Sequence, residues 1–142
     1  MTYVNAAPDI AWAQLRAHAV EAATRAYAPY SHVTIGAAGL CSNGQLISGS
    51  NVENASYGLT LCAECSLVSD LIRVNGGRLV AVSIVAGDGK PIAPCGRCRQ
   101  LLFEHGGHDL LLDAGDKNPP RRLAELLPDA FGPDDLGIRR NQ

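Results

Sequence analysis

Positive charge is not in excess in this chain. Lys and Arg number 12 against 14 Asp and Glu, for a formal net charge of −2 and a pI near 6.0. A protein that neutralises a phosphate backbone carries a basic face, so no nucleic-acid partner is expected. The pairs Arg121-Arg122 and Arg139-Arg140 are short and read as solvated charges. Charge of either sign is also sparse, at 18% of residues against 46% apolar. In a small domain that balance suggests a partner subunit covering part of the surface. Long apolar runs are missing too. Nothing approaches the ~20 residues that span a bilayer, so no membrane association is expected. The segment Met1-Thr2-Tyr3-Val4-Asn5 lacks the basic and apolar regions of a secretory signal. Cysteines number five, and an odd count argues against a secreted disulfide framework. Reduced thiols in the cytoplasm fit best, and reduced thiols can bind metal.

The length of 142 residues predicts one domain over 1–142, able to bury roughly 70% of its unfolded surface. Pro8-Asp9 opens a helical pattern to about Tyr27, with Ile10, Leu15 and alanines at 19, 22, 23 and 26 on one stripe, stopped by Pro29. Val33–Leu40 and Gln45–Val52 read as a hairpin around Ser42-Asn43-Gly44. Leu59 to about Val74 is a second helix, ended by Asn75-Gly76-Gly77. Leu79–Ala86 is a buried strand by its Val, Ile and Leu content. Cys95–His105 is a third helix and Asp109–Asp113 a short strand, which makes a parallel crossover. Leu123–Leu127 is a short helix, and the tail after about residue 133 is expected to be loose. The order α-β-β-α-β-α-β predicts an α/β fold, a three-layer α/β/α sandwich with a small mixed β-sheet.

Against these absences stands a cluster of cysteines with a carboxylate. Cys62-Ala63-Glu64 and Pro94-Cys95-Gly96-Arg97-Cys98 each fall at an expected helix start. Zinc binds thiolate, and the positive end of a helix lowers a cysteine pKa. Three thiolates from Cys62, Cys95 and Cys98 leave a fourth zinc position open for water, which separates a catalytic site from a structural one. Glu64, on the first helical turn, can face the same pocket without ligating, and a carboxylate there can move protons. Three thiolates leave the site negative, so a compensating cation such as Arg99 is expected. Cys65 permits another reading. Cys62-x-x-Cys65 with Cys95-x-x-Cys98 can form a closed four-cysteine module that only staples the fold. Two features favour the open site. Zinc ribbons separate their pairs by ~15–20 residues, and this gap is longer. Ribbon knuckles also sit on tight loops, whereas both pairs here open apolar helices. Cys65 then reads as a buried thiol beside the site, and Cys41 as core. Asn51 and Glu53 read by themselves as turn polarity, and Tyr57 and Phe131 as core or interface.

Several motifs in order resemble the small zinc-dependent cytidine deaminases. They are Tyr27-Ala28-Pro29-Tyr30-Ser31, Gly36-Ala37-Ala38, Asn51-Val52-Glu53-Asn54-Ala55-Ser56-Tyr57, Cys62-Ala63-Glu64, and Pro94-Cys95-Gly96-Arg97-Cys98-Arg99-Gln100, with Leu126-Leu127-Pro128-Asp129-Ala130-Phe131 near the end. The likeness runs from Tyr27 to Phe131. It implies hydrolytic deamination of cytidine and 2′-deoxycytidine to the uridine products and ammonia, with one zinc per subunit. It implies that Cys62, Cys95 and Cys98 hold zinc and that Glu64 protonates N3 and then the leaving amine. The Ala63 backbone would read the pyrimidine edge, and Asn51 and Glu53 would hold the ribose 3′-hydroxyl. Phe131 would pack on the base from a neighbouring subunit, with further contacts around Ala55 and Tyr57, in a homotetramer with shared active sites. The chain departs from the family pattern at two positions. Val33 stands where Phe is frequent, which leaves room for another aminopyrimidine nucleoside, such as a nucleoside antibiotic. Cys65 stands where many members carry a thiolate-binding Arg, which leaves Arg97 or Arg99 to compensate.

Overall fold

The computed structural model describes residues 9–137. Helix α1 (Trp12–Ala23) leads to a hairpin of β1 (Ile35–Cys41) and β2 (Leu46–Ser50). Helix α2 (Ala63–Arg73), strand β3 (Leu79–Ala86), helix α3 (Gly96–Gly106) and strand β4 (Leu111–Leu112) follow. Strand β5 (Arg121–Arg122) and helix α4 (Leu123–Leu126) complete the regular elements, with 3-10 turns at Tyr57–Leu59 and Pro133–Leu136. The sheet order is β2-β1-β3-β4-β5. β3 and β4 run parallel, and the other neighbours are antiparallel. The mixed sheet and the parallel β3–α3–β4 crossover are those expected from the sequence.

Two apolar clusters occupy opposite faces of the sheet, because side chains alternate along a strand. Ala37, Val82 and Ile84 turn toward α2 and α3, where they meet Leu67, Leu71 and Leu102. Ala38, Ala81 and Val85 turn the other way, onto Leu15, Ala19 and Ala23 of α1. This is the three-layer α/β/α sandwich. Cys41 is buried in the first cluster, as expected of a core thiol, and burial pushes its pKa up.

The boundaries differ from the sequence reading where non-local pairing intervenes. The first helix ends at Ala23, not near Tyr27, because Tyr27 leaves the helix to bridge Val52. Its N–H donates to Asn51 O, and its carbonyl accepts from Glu53 N–H. The expected opening at Pro8 lies outside the described residues. The second helix begins at Ala63 and not at Leu59, because Leu61 pairs with Val52 through two backbone hydrogen bonds of 2.9 and 2.8 Å. The fourth expected strand, Asp109–Asp113, contracts to Leu111–Leu112. Strand β5 falls on the arginine pair whose pattern suggests only solvated charge. Its arginines are exposed, and they pair with Glu125 at 3.3 Å and Asp109 at 2.5 Å. Pro133–Leu136, placed in the loose tail, forms a 3-10 turn closed by Gly137.

One glycine fixes how α2 sits on the sheet. A Cβ at Gly49 on β2 would lie 2.4 Å from Ala63 O and 2.5 Å from Leu67 N. Both are helix backbone, so only glycine lets the first turn of α2 rest directly on the strand.

Candidate metal centre and active site

Cys62 and Cys95 are the N-cap residues of α2 and α3. Both have extended backbone. The first-turn N–H groups of a helix have no intrahelical acceptor, so they are available to sulfur. The N–H groups of Cys98 and Arg97 donate to the Cys95 thiol and lower its pKa. Burial, by contrast, pushes Cys62 and Cys98 up. A divalent cation reverses that balance, because it binds the thiolate forms and releases their protons.

The sulfurs of Cys62, Cys95 and Cys98 lie within 4.8 Å of one another. Zinc–sulfur bonds of about 2.3 Å in a tetrahedron separate the sulfurs by about 3.8 Å, so the donor set fits zinc. Among the described residues these three form the one such group, and Cys65 is outside it. Cys65 instead lines a shallow groove with Ser48, Leu61, Ser66, Ser69, Asp70 and Arg73. The closed four-cysteine module is therefore not what this fold builds. The reason is helical geometry: Cys65 lies in the first turn of α2, rotated away from its N-cap.

Glu64 is 4% exposed. Burial pushes its carboxyl up, against a hydrogen bond from the Cys98 thiol that lowers it. It lies outside the three-donor group. The site thus pairs three convergent thiols with a buried carboxylate that touches one of them and does not join the three-donor group. Ala63, the first residue of α2, is fully buried.

Asn51 and Glu53 flank Val52, whose partner Leu61 immediately precedes Cys62. The bridge therefore holds the backbone of this segment beside the residue that leads into α2. Neither Asn51 nor Glu53 is loose turn polarity. Asn51 Oδ1 accepts from Ile35 N–H at 2.8 Å, and its Nδ2 donates to Val33 O at 2.9 Å. Glu53 Oε1 accepts from the N–H groups of Tyr30 (3.0 Å) and Ser31 (3.1 Å), and Oε2 accepts from the Ser31 hydroxyl (2.5 Å). That hydroxyl bond, the backbone donors and His32 hold the Glu53 carboxyl below its ordinary range, against a smaller effect of burial. Glu53 thus packs its carboxylate onto the end of the Tyr27–Ser31 motif, a pairing that residue spacing does not reveal. The only local signal was a Pro-Tyr-Ser turn followed by His32, which adopts φ 60°.

Ala55, Tyr57 and Phe131 are exposed. Tyr57 is 79% exposed and Phe131 58%. Tyr57 meets Tyr30 edge-on at 6.4 Å, and the Phe131 carbonyl accepts from Gln100 on α3 at 2.7 Å. Val33 is exposed. Of the two arginines, Arg99 donates to the carbonyls of Pro94 (2.8 Å) and Leu126 (3.0 Å). It braces the residue before Cys95, while Arg97 is exposed at the surface.

The family model described as the cytidine and deoxycytidylate deaminase zinc-binding region matches residues 12–112. A cytidine deaminase of Mycobacterium tuberculosis is 56% identical over 133 residues, covering 94% of this chain and 98% of that protein. One from Halalkalibacterium halodurans is 39% identical over 121 residues, covering 83% and 92%. The crystal structure of the M. tuberculosis cytidine deaminase superposes with a TM-score of 0.83 at 55% identity, covering 87% of this chain and 99% of that one. That of the Mycobacterium leprae cytidine deaminase gives 0.81 at 53% identity, covering 85% and 100%. The chain belongs to the cytidine deaminase family.

Proposed function

We propose that this family member is a hydrolase that deaminates cytidine and 2′-deoxycytidine to uridine and 2′-deoxyuridine, releasing ammonia, as a step of pyrimidine salvage. The observation that carries the reading is the convergence of three thiols with a buried carboxylate touching one of them. Cys62, Cys95 and Cys98 hold one zinc per subunit. Bound there, zinc would supply a nucleophilic water at neutral pH for attack at C4 of the base. Glu64 accepts a proton from that water, delivers it to N3, and carries a second proton to the departing amine. Its burial supports the role, because a raised carboxyl pKa suits a group that must both accept and donate protons.

Asn51 and Glu53 hold the ribose 3′-hydroxyl, and the backbone at Ala63 meets the pyrimidine edge. Ala55, Tyr57 and Phe131 reach a neighbouring subunit's site in a homotetramer. Their exposure supports this, since a monomer rarely leaves so much aromatic surface in water. The compartment in this reading is the cytoplasm, where thiols stay reduced. Among the described residues, no helix is long and apolar enough to cross a membrane.

The test is zinc content with cytidine turnover, for the wild type and Glu64→Ala. The wild type should bind one zinc per subunit and form uridine. Glu64→Ala should keep zinc and fold while kcat falls by about 10²–10⁴. A zinc-replete wild type that turns over neither nucleoside refutes the reading.

A further inference from the structure

The carboxylate of Glu53 is more fully occupied than a free sugar-binding group would be. A carboxylate oxygen has two acceptor sites. On Oε1 both are taken, by the N–H groups of Tyr30 and Ser31. On Oε2 one is taken, by the Ser31 hydroxyl. One acceptor site remains. Its direction depends on where the Ser31 hydroxyl stands, and that hydroxyl is itself fixed, because its oxygen accepts from Val33 N–H at 3.0 Å. Val33 is held in turn, through its carbonyl, by Asn51. The loop from Tyr30 to Ile35 is thus clamped at one end by Glu53 and at the other by Asn51, with Ser31 as the link between them.

We infer that Ser31 is a positioning residue that aims the last free acceptor of Glu53 at the sugar 3′-hydroxyl and thereby sets the preference for nucleosides that carry it. The inference rests on the deaminase reading above. Three donors also keep Glu53 ionised, so it can only accept, and its partner must be a hydroxyl that donates. A sugar without that hydroxyl gains nothing from the arrangement and would leave the acceptor unpaired.

The experiment compares wild type, Ser31→Ala and Ser31→Thr in zinc-loaded enzyme, with cytidine and with 2′,3′-dideoxycytidine. For cytidine, Ser31→Ala should raise KM about tenfold and leave kcat within about twofold, because the lost contact serves ground state and transition state alike. Uridine binding measured by calorimetry should weaken by the same factor. For the dideoxynucleoside, kcat/KM of Ser31→Ala should equal that of wild type. Ser31→Thr, which restores the hydroxyl, should recover the cytidine KM. Equal losses on both nucleosides would mean general damage to the loop and would overturn the inference, as would an unchanged cytidine KM. Both results leave the deaminase reading standing. A wild type that turns over neither nucleoside removes that reading, and the inference with it.

Discussion

Cys65 offers a thiol three residues from Cys62, yet the three-sulfur group forms without it. The difference is rotational. Cys62 is an extended N-cap and points off the end of α2, whereas Cys65 is carried round the first turn to a surface groove. Cys65→Ala should therefore keep one zinc per subunit, measured by elemental analysis after gel filtration. Cys98→Ala should lose it. Cys98 is fully buried, so that variant should also unfold several degrees lower. At this scale the convergence of Cys62, Cys95, Cys98 and Glu64 was legible, because short spacings put all four at helix starts. The partner of Glu53 was not. Ser31 lies 22 residues away, and only the folded loop brings the two together. The roles of the arginines were equally hidden, since Arg99 is committed to two carbonyls that spacing does not reveal.

The helices and the hairpin were legible as elements because each has a period and a stop signal. Asn75, with φ 53°, and Gly77, with φ 86°, end the turn after α2 where the sequence placed it. What failed was each boundary set by a distant strand. Val52 draws Tyr27 out of the first helix and Leu61 out of the second, and no local propensity records that competition. β5 is two arginines, which carry no alternating apolar pattern to read. The contact between α2 and β2 gives an element-scale prediction. A methyl group at Gly49 would meet the backbone of Ala63 and Leu67 below 3 Å, and backbone cannot rotate away. Gly49→Ala should lift the first turn of α2 and cost about 1–3 kcal/mol, the range for an overpacked site, read by denaturant unfolding. Because Cys62 and Glu64 ride on that turn, zinc should also leave more readily, measured by competition with a chelator.

Across the whole molecule, one charged group ties the outer layer to the sheet. Arg16 on α1 donates to both oxygens of Asp113 at 2.8 Å. Asp113 also accepts from Ser83 on β3 (2.7 Å) and from Gly115 N–H (3.0 Å). The Asp113 side chain is 2% exposed. Burial alone would raise its pKa, but the guanidinium and the two further donors outweigh it and hold the carboxyl below its ordinary range. A depressed folded pKa contributes stability that is present above the unfolded value, near ~3.9, and is lost as pH falls through the folded one. Asp113→Asn should therefore cost about 3 kcal/mol near neutrality, the scale for breaking a buried pair. The gap in Tm between the variant and wild type should close as pH falls below about 4. The assembly proposed above makes a further demand on the same scale. If Phe131 completes a neighbour's site, Glu64→Ala and Phe131→Ala subunits should rescue each other when unfolded and refolded together. A rebuilt site needs Glu64 from one parent and Phe131 from the other, so a random equal mixture should hold intact sites at roughly one quarter of the total. With Phe131→Ala weakened about tenfold at low substrate, unshared sites would instead leave roughly one twentieth of wild-type activity. Light scattering on the same samples should give four times the 14.9 kDa of the chain, and activity near the lower figure would mean that each subunit serves only itself.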